Sequence, residues 1–481
     1  MITDWISRNR ERAILLLLLI IPIAIVLLYI FLFGRTVLFM DEWIMVPTID
    51  QFLNGNIPWQ DFFTPQNEHL MFFPKLAIVG IALMTGFNTV AEMYFSWLIL
   101  IIISILIFTM CVRYFGWSVD TLVSFIPIAW LLWSLRQFEN FLFGFQINYF
   151  LCVLGFVISV VLIDRSKDFD LSFLGALGGA VITSFTILNG LLVWPIGIIQ
   201  IILQGKGKKM LLAWGLCTVS INSIYFLNWK GSGNMPSLSF FTNDPATVMK
   251  YFLAFLGSPI SSGSWADIII LYSILVGIFV LVSTIAGIAL TVKYHLVKEN
   301  SPWLVLLLFS FGTALMTTIG RSGLGIAQAL SSRYVTFTIP GIIGLYFLYV
   351  TLYRNKDSIL FHSGWMLKGI TCIILFGVFL GMIEGMAMGM KIASDHDKMT
   401  CTLLNYRSAS DHALSALYPD PYFIREMAGV LEHRHLNVFS GSGNIQQNMN
   451  CTTAGSYPDL YNRIFGYKEK VTQLVSGMHS P

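Results

Sequence analysis

Apolar runs of about 18 or more residues recur along this chain from its start to about residue 390. Each can cross a hydrocarbon core about 30 Å thick, because a helix satisfies its own backbone inside lipid. The composition agrees: 56% of the 481 residues are hydrophobic and 11% are charged, against about 25% charged in an average soluble domain. The formal charge, 29 Lys+Arg less 26 Asp+Glu, is +3, too weak a bias to suggest a nucleic-acid partner. The expected fold is an all-α polytopic membrane protein.

About eleven crossings are expected, near 13–33, 91–112, 119–135, 147–163, 171–187, 191–203, 209–228, 268–292, 302–319, 334–352 and 366–389. Asn189-Gly190 separates 171–187 from 191–203, so that pair reads either as two crossings or as a re-entrant hairpin. Arg8, Arg10 and Arg12 precede a first run longer than a signal-peptide core of about 7–15 residues, and no A-x-A-like site follows, so it reads as a retained helix. With the N-terminus cytoplasmic, the inner segments hold 13 Lys and Arg residues and the outer loops 7, the direction the positive-inside rule requires. The clearest inner loop is Gly205-Lys206-Gly207-Lys208-Lys209. An odd number of crossings then puts the C-terminal tail outside. Soluble-looking mass falls on that outer side: loop 34–90, loop 229–267 and tail 390–481. Few carboxylates sit mid-span, which weakens an ion-coupled transporter reading.

The first outer loop carries the densest polar chemistry. Asp41 and Glu42 follow the first helix closely and are flanked by Phe39, Met40 and Trp43. A partly desolvated carboxylate there would gain base strength; the bland reading is an acidic turn beside an aromatic belt. Further on come Glu68 and His69, which suit a polar substrate, or His69 caps the following helix. Two such residues are too few for a metal site, which needs three or four ligands. The apolar segment 74–86 is too short to span and reads as a helix lying along the interface.

Two further clusters fall at outer helix ends. Arg136, Glu139, Asn140 and Gln146 stand among Phe138, Phe141, Phe143 and Phe145, a mixture of amides and rings that suits a sugar face or an interfacial belt. Gly320-Arg321-Ser322-Gly323 and Ser331-Ser332-Arg333-Tyr334 place two arginines twelve residues apart across a short loop. They would hold one phosphate bidentately, or snorkel to lipid headgroups.

The Asp41-Glu42 pair after the first helix resembles the acidic motif of the GT-C glycosyltransferases. The runs 139–146 and 189–195, Gly320-Arg321 and Ser332-Arg333-Tyr334 resemble bacterial members of that class, in particular the phage- or island-encoded O-antigen glucosyltransferases that convert serotype. The resemblance is architectural over most of the chain and residue-level only at these short motifs. It implies a transmembrane catalytic domain over 1–389 and a small extracytoplasmic domain over 390–481, in a bacterial inner membrane with the N-terminus cytoplasmic and the C-terminus periplasmic. It implies Asp41 as general base, with Glu42 as its substitute, and Arg321, Arg333 and Tyr334 at the donor phosphate. Glu68, His69, Arg136, Glu139, Asn140, Gln146 and Asn189 would then bind the sugar or acceptor. The implied partners are a polyprenyl-phosphate-linked sugar, undecaprenyl phosphate glucose above all, a lipid-linked or polymeric glycan acceptor, and membrane lipid. Members of the class differ in their use of a divalent cation, and the sequence offers no clear cage for one. The competing readings are a lipid-linked-glycan flippase, an O-antigen polymerase or ligase, and a non-catalytic membrane scaffold.

The tail keeps its own apolar anchors, with Ile424, Met427, Ala428 and Leu431 at helical spacing after a turn at Pro419 and Pro421. Cys401 and Cys451 are its two cysteines, and an outside location puts both in an oxidising compartment. A bridge between them would close a loop of about 50 residues and stabilise by roughly 4 kcal/mol in the chain-entropy model. The expectation is a disulfide-closed unit covering the outer site.

Overall fold

The computed structural model describes residues 2–227, 229, 242–263, 267–355 and 360–441. Within them the chain is helical, with no strand beyond an isolated bridge between Gln66 and His69. Among the described residues, eight helices are long and apolar enough to cross a membrane: Glu11–Phe33, Thr89–Phe115, Val119–Leu142, Gly144–Arg165, Asp267–Lys293, Val297–Leu324, Ser332–Arg354 and Gly364–Leu404. The protein is an all-α, multi-pass membrane protein, and these eight correspond to eight of the eleven expected runs.

The other three expected runs form the helices Leu171–Ser184, Val193–Leu203 and Lys208–Phe226, of 14, 11 and 19 residues. At about 1.5 Å per residue the first two are about 21 and 17 Å long, short of a core about 30 Å thick. The break at Asn189-Gly190 has a packing cause. A Cβ on Gly190 would lie 1.9 Å from the Thr183 carbonyl oxygen, so the chain folds back tightly there. The indole N–H of Trp194 closes the turn by donating to Ser184 Oγ at 2.8 Å. Lys208–Phe226 is long enough, but it interleaves Thr218, Ser220, Asn222 and Ser223 with its apolar residues.

Burial sorts the helices. Val335–Arg354 is central, with almost every side chain buried. The first helix instead exposes Leu17, Ile20, Leu28 and Phe31, and Asp267–Lys293 exposes Leu271, Leu275, Val282 and Ile285. Hydrocarbon solvent allows such outward apolar faces, which water would not.

The polar groups separate to the two ends of the bundle. At one end the Asp164 carboxylate accepts from Tyr114 Oη at 2.5 Å, Arg113 Nε at 2.8 Å and Gln204 Nε2 at 3.0 Å. Lys206 Nζ donates to the Asp164 and Ser166 carbonyls. This clamp ties together helix ends that the charge pattern groups as inner. At the other end lie the segment 34–88, the turns near 135–146 and 187–192, and the Arg321–Tyr334 connection.

The last long helix, Leu360–Leu404, runs without a break through residue 389. Short helices Asp411–Ser415 and Pro421–Arg434 follow, and Ile424, Met427, Ala428 and Leu431 are buried as their spacing requires. Asp420 caps the second helix through the Tyr422 and Phe423 N–H groups. This tail packs onto the first loop: Arg434 Nε meets Asp50 Oδ1 at 2.7 Å, the Asn437 N–H donates to the Gly86 carbonyl, and the Met40 N–H donates to the Leu417 carbonyl. The apolar segment 74–86 forms the helix Phe72–Thr85, of 14 residues. Cys451 lies outside the described residues, so the expected bridge from Cys401 does too.

Candidate active site

Asp41 and Glu42 occupy a short 3-10 turn, Met40–Ile44, and adjacent residues on such a turn point in different directions. Glu42 is buried, 2% exposed. Its two carboxylate oxygens accept the Phe39 N–H at 2.9 Å and the Phe145 N–H at 3.2 Å. Its carboxylate thus pins the turn to the start of the Ile147–Arg165 helix. Gly144 makes the approach feasible, since a Cβ there would meet Glu92 Oε2 at 2.5 Å and Glu42 Oε1 at 3.1 Å. Burial raises the Glu42 pKa despite those backbone hydrogen bonds. Glu42 is a buttress, not a cavity wall.

Asp41 lines a cavity of about 290 Å³. Its carboxyl titrates above the ordinary aspartate value because burial outweighs the opposing influences of Arg333 and a Gln66 hydrogen bond. The same cavity is lined by Glu68, His69, Gln146, Asn189, Arg321, Arg333 and Tyr334, residues drawn from five separate stretches of sequence. Of the expected site residues, these seven and Asp41 meet in one chamber.

The two arginines differ in state. Arg321, at the end of the Val297–Arg321 helix, forms an ion pair with Glu68 Oε1, leaving Glu68 Oε2 buried without a partner. Arg333 lies over the Tyr334 ring, 5.5 Å from its centroid, and its Nε is buried and unpartnered. Gln328 Nε2 fixes Tyr334 by donating to its hydroxyl at 2.8 Å. His69 Nδ1 accepts the Leu188 N–H at 3.3 Å, so the neutral ring carries its proton on Nε2. Burial holds the His69 pKa below its usual value, with Glu68 opposing and Arg321 reinforcing the shift. Asn189 Nδ2 reaches Thr317 Oγ1 at 3.5 Å.

Arg136, Glu139 and Asn140 stand behind the cavity wall. Glu139 Oε2 accepts the Ser332 hydroxyl at 2.5 Å and the Arg333 N–H at 3.0 Å. Asn140 Nδ2 donates to the Arg333 carbonyl at 3.0 Å and to Thr336 Oγ1 at 2.7 Å. These two side chains hold the backbone that presents Arg333. Arg136, fully buried, donates to the Ser261 and Leu330 carbonyls and lies 3.6 Å from Glu384. A sugar in the chamber would not touch these three directly.

The cavity also has walls that the sequence did not single out: Asn148, Tyr149, Thr317 and Gln328. Asn148 and Tyr149 continue the 139–146 cluster by one helical turn, which was the available signal. Gln328 lies between the two arginine motifs. Among the described residues no group of three or more His, Cys, Asp or Glu side chains is placed to hold a metal ion.

No protein-family model and no curated protein matches the sequence. Among solved structures, ArnT from Cupriavidus metallidurans, crystallised with undecaprenyl phosphate, is similar over 92% of this chain and 79% of that one, at 12% identity and a TM-score of 0.41. A likeness that distant carries no weight for the chemistry here, which rests on the cavity.

Proposed function

We propose that this protein is an inverting membrane glycosyltransferase of the GT-C type. It would move a sugar, glucose by the sequence resemblance, from a polyprenyl-phosphate carrier to an O-antigen or another cell-surface glycan. The observation that supports this reading is the meeting of a desolvated carboxylate, Asp41, with two arginines, Arg321 and Arg333, in a chamber that also carries Glu68, amides, an imidazole and aromatic rings. That combination suits a sugar phosphate: cations for the phosphate, hydrogen-bonding groups for the hydroxyls, and a base for the attacking alcohol.

In this reaction Asp41 takes the proton of the acceptor hydroxyl. The hydroxyl oxygen bonds to the anomeric carbon from the face opposite the phosphate, and the carbon–oxygen bond to phosphate breaks. The electron pair leaves with the carrier phosphate, and the arginines stabilise the growing charge. By analogy with oxyanion donors, each such contact is worth about 2.7–4 kcal/mol of barrier. Arg333 is the readier ligand because its Nε has no protein partner, whereas Arg321 must exchange Glu68 for phosphate. His69 Nε2, Gln146 and Asn189 would orient the sugar.

By the charge pattern, the cavity end of the bundle would face the periplasm across an inner membrane, with the Asp164 clamp on the cytoplasmic face. Residues 1–389 would form the catalytic unit, and 390–481 an extracytoplasmic unit lying against the site. The test is transfer of radiolabelled sugar from purified undecaprenyl phosphate glucose to lipid-linked glycan. Label recovered in glycan supports the enzyme. Label that stays on intact carrier and only changes leaflet would make the protein a flippase.

A further inference from the structure

Asp41 has a second side. It lines a separate cavity of about 430 Å³, and Gln66 and Asn67 also line both chambers. The partition is a tight turn. The Gln66 N–H donates to the His69 carbonyl at 2.8 Å, the His69 N–H donates back to the Gln66 carbonyl at 2.9 Å, and Asn67 takes the left-handed conformation at φ 51°. A carboxylate that lines both chambers can face two reactants at once.

The chambers differ in chemistry. The first carries two arginines. The second carries, beside Asp41, one further carboxylate and one ammonium, Asp61 and Lys75, with Thr48 and Tyr418. Lys75 Nζ donates to the Asp61 carbonyl at 2.7 Å and the Thr64 carbonyl at 2.8 Å, which leaves one of its three N–H bonds for a ligand. Burial pushes this ammonium down to about 8, so it suits donation to neutral oxygen better than capture of a strong anion. Thr48 Oγ1 donates to Asp61 Oδ2 at 3.1 Å. Tyr418 arrives from the tail, whose Leu417 carbonyl accepts the Met40 N–H beside Asp41.

We infer that the second chamber is the acceptor site: it binds a neutral sugar whose hydroxyls are read by Asp61 and Lys75 and whose ring rests on Tyr418. A carboxylate accepts two hydroxyl protons, an ammonium donates to hydroxyl oxygens, and an aromatic ring supports the apolar face of a hexose. This assignment rests on the glycosyl-transfer reading of the first chamber, and it gives that reading its geometry. The two chambers adjoin at Asp41, where the acceptor hydroxyl would lose its proton; inversion requires that hydroxyl oxygen to reach the anomeric carbon on the face opposite the phosphate. It also assigns acceptor choice to two chain regions, the 48–75 segment and the tail.

The test separates the two assignments. Saturation-transfer NMR on the full-length protein in detergent would use the methyl glycosides of glucose, galactose, rhamnose and N-acetylglucosamine as probes. At least one should bind, and a saturating amount of undecaprenyl phosphate should not displace it. Asp61→Asn and Tyr418→Ala should each weaken that binding about tenfold while undecaprenyl phosphate affinity stays within twofold. Lys75→Met should do the same, and the other two variants keep the test decisive if burial makes that one misfold. Failure of every glycoside to bind, displacement by undecaprenyl phosphate, or binding unaffected by Asp61→Asn and Tyr418→Ala would overturn the acceptor site. Glycoside binding with the expected pattern in a protein that transfers no sugar would overturn the transferase reading instead.

Discussion

Glu68→Gln should tighten the binding of undecaprenyl phosphate. Arg321 is engaged by the Glu68 carboxylate, and both side chains are largely shielded, at 18% and 9% exposure. A phosphate that takes Arg321 must first displace that carboxylate and then remain near its charge. A hydrogen bond to a charged group is worth about 1.5–3 kcal/mol and a neutral one about 0.5–1.5 kcal/mol. Removing the carboxylate charge therefore lowers the exchange cost by about 1.2 kcal/mol, the gap between the midpoints of those ranges, which is about eightfold in Kd. Using the carrier phosphate without its sugar keeps any Glu68–sugar contact out of the measurement. Titration calorimetry in detergent at fixed ionic strength would give Kd for the wild type, Glu68→Gln, Arg321→Ala and the double variant. The gain must vanish in the Arg321→Ala background, because the two residues act on one ligand group. An unchanged or weaker Kd in Glu68→Gln, or a gain that persists without Arg321, would refute the reasoning.

Other outcomes follow from the same geometry. Glu139→Ala should lower the thermal-unfolding midpoint and weaken carrier binding at least tenfold, since the Ser332 hydroxyl and the Arg333 N–H each lose their acceptor, at about 1–3 kcal/mol for a buried group left unpaired. Glu139→Gln should recover part of both losses. The rate profile should fall on the acid side with a midpoint above the ordinary aspartate value, because a base works only when deprotonated and burial raises the Asp41 pKa. Arg333→Gln should move that midpoint higher still, as it removes the cation that lowers Asp41; a downward movement in kcat/KM profiles would contradict the assignment. Non-reducing mass spectrometry of a digest should recover one peptide pair joined through Cys401 and Cys451, and two alkylated thiols would remove the bridge.

Most of the fold was legible in the chain because a lipid solvent imposes a length and a polarity that apolar runs report directly. What hydropathy could not report was the near-contact of Gly190 with Thr183, which folds 171–203 into a short pair. At the site, the sequence placed Asp41, Glu68, His69, Arg321 and Arg333 near one face, and the structure brings them into one chamber. It could not separate Asp41 from Glu42. That distinction is made by the Phe145 N–H, 103 residues away in sequence, which draws Glu42 inward. Glu139 and Asn140 looked like sugar ligands for a related reason. Their type and position suit a glycan, but their partners are the backbone and hydroxyls of the Ser332–Thr336 stretch, some 193–196 residues on. Polar residues near a site read the same from sequence whether they face the substrate or hold the residue that does.

The most direct test of the central claim is single-turnover transfer from radiolabelled undecaprenyl phosphate glucose by the wild type, Asp41→Asn and Glu42→Gln, with carrier affinity measured on the same preparations. Asp41→Asn should lose at least about a hundredfold in rate, the lower end of what loss of a general base costs, while carrier Kd stays within a few-fold. Glu42→Gln should keep a measurable fraction of the rate and lose mainly thermal stability, because its carboxylate serves the backbone of Phe39 and Phe145. Transfer by Asp41→Asn at more than about a tenth of the wild-type rate would contradict the account, since general-base removal does not leave so much behind.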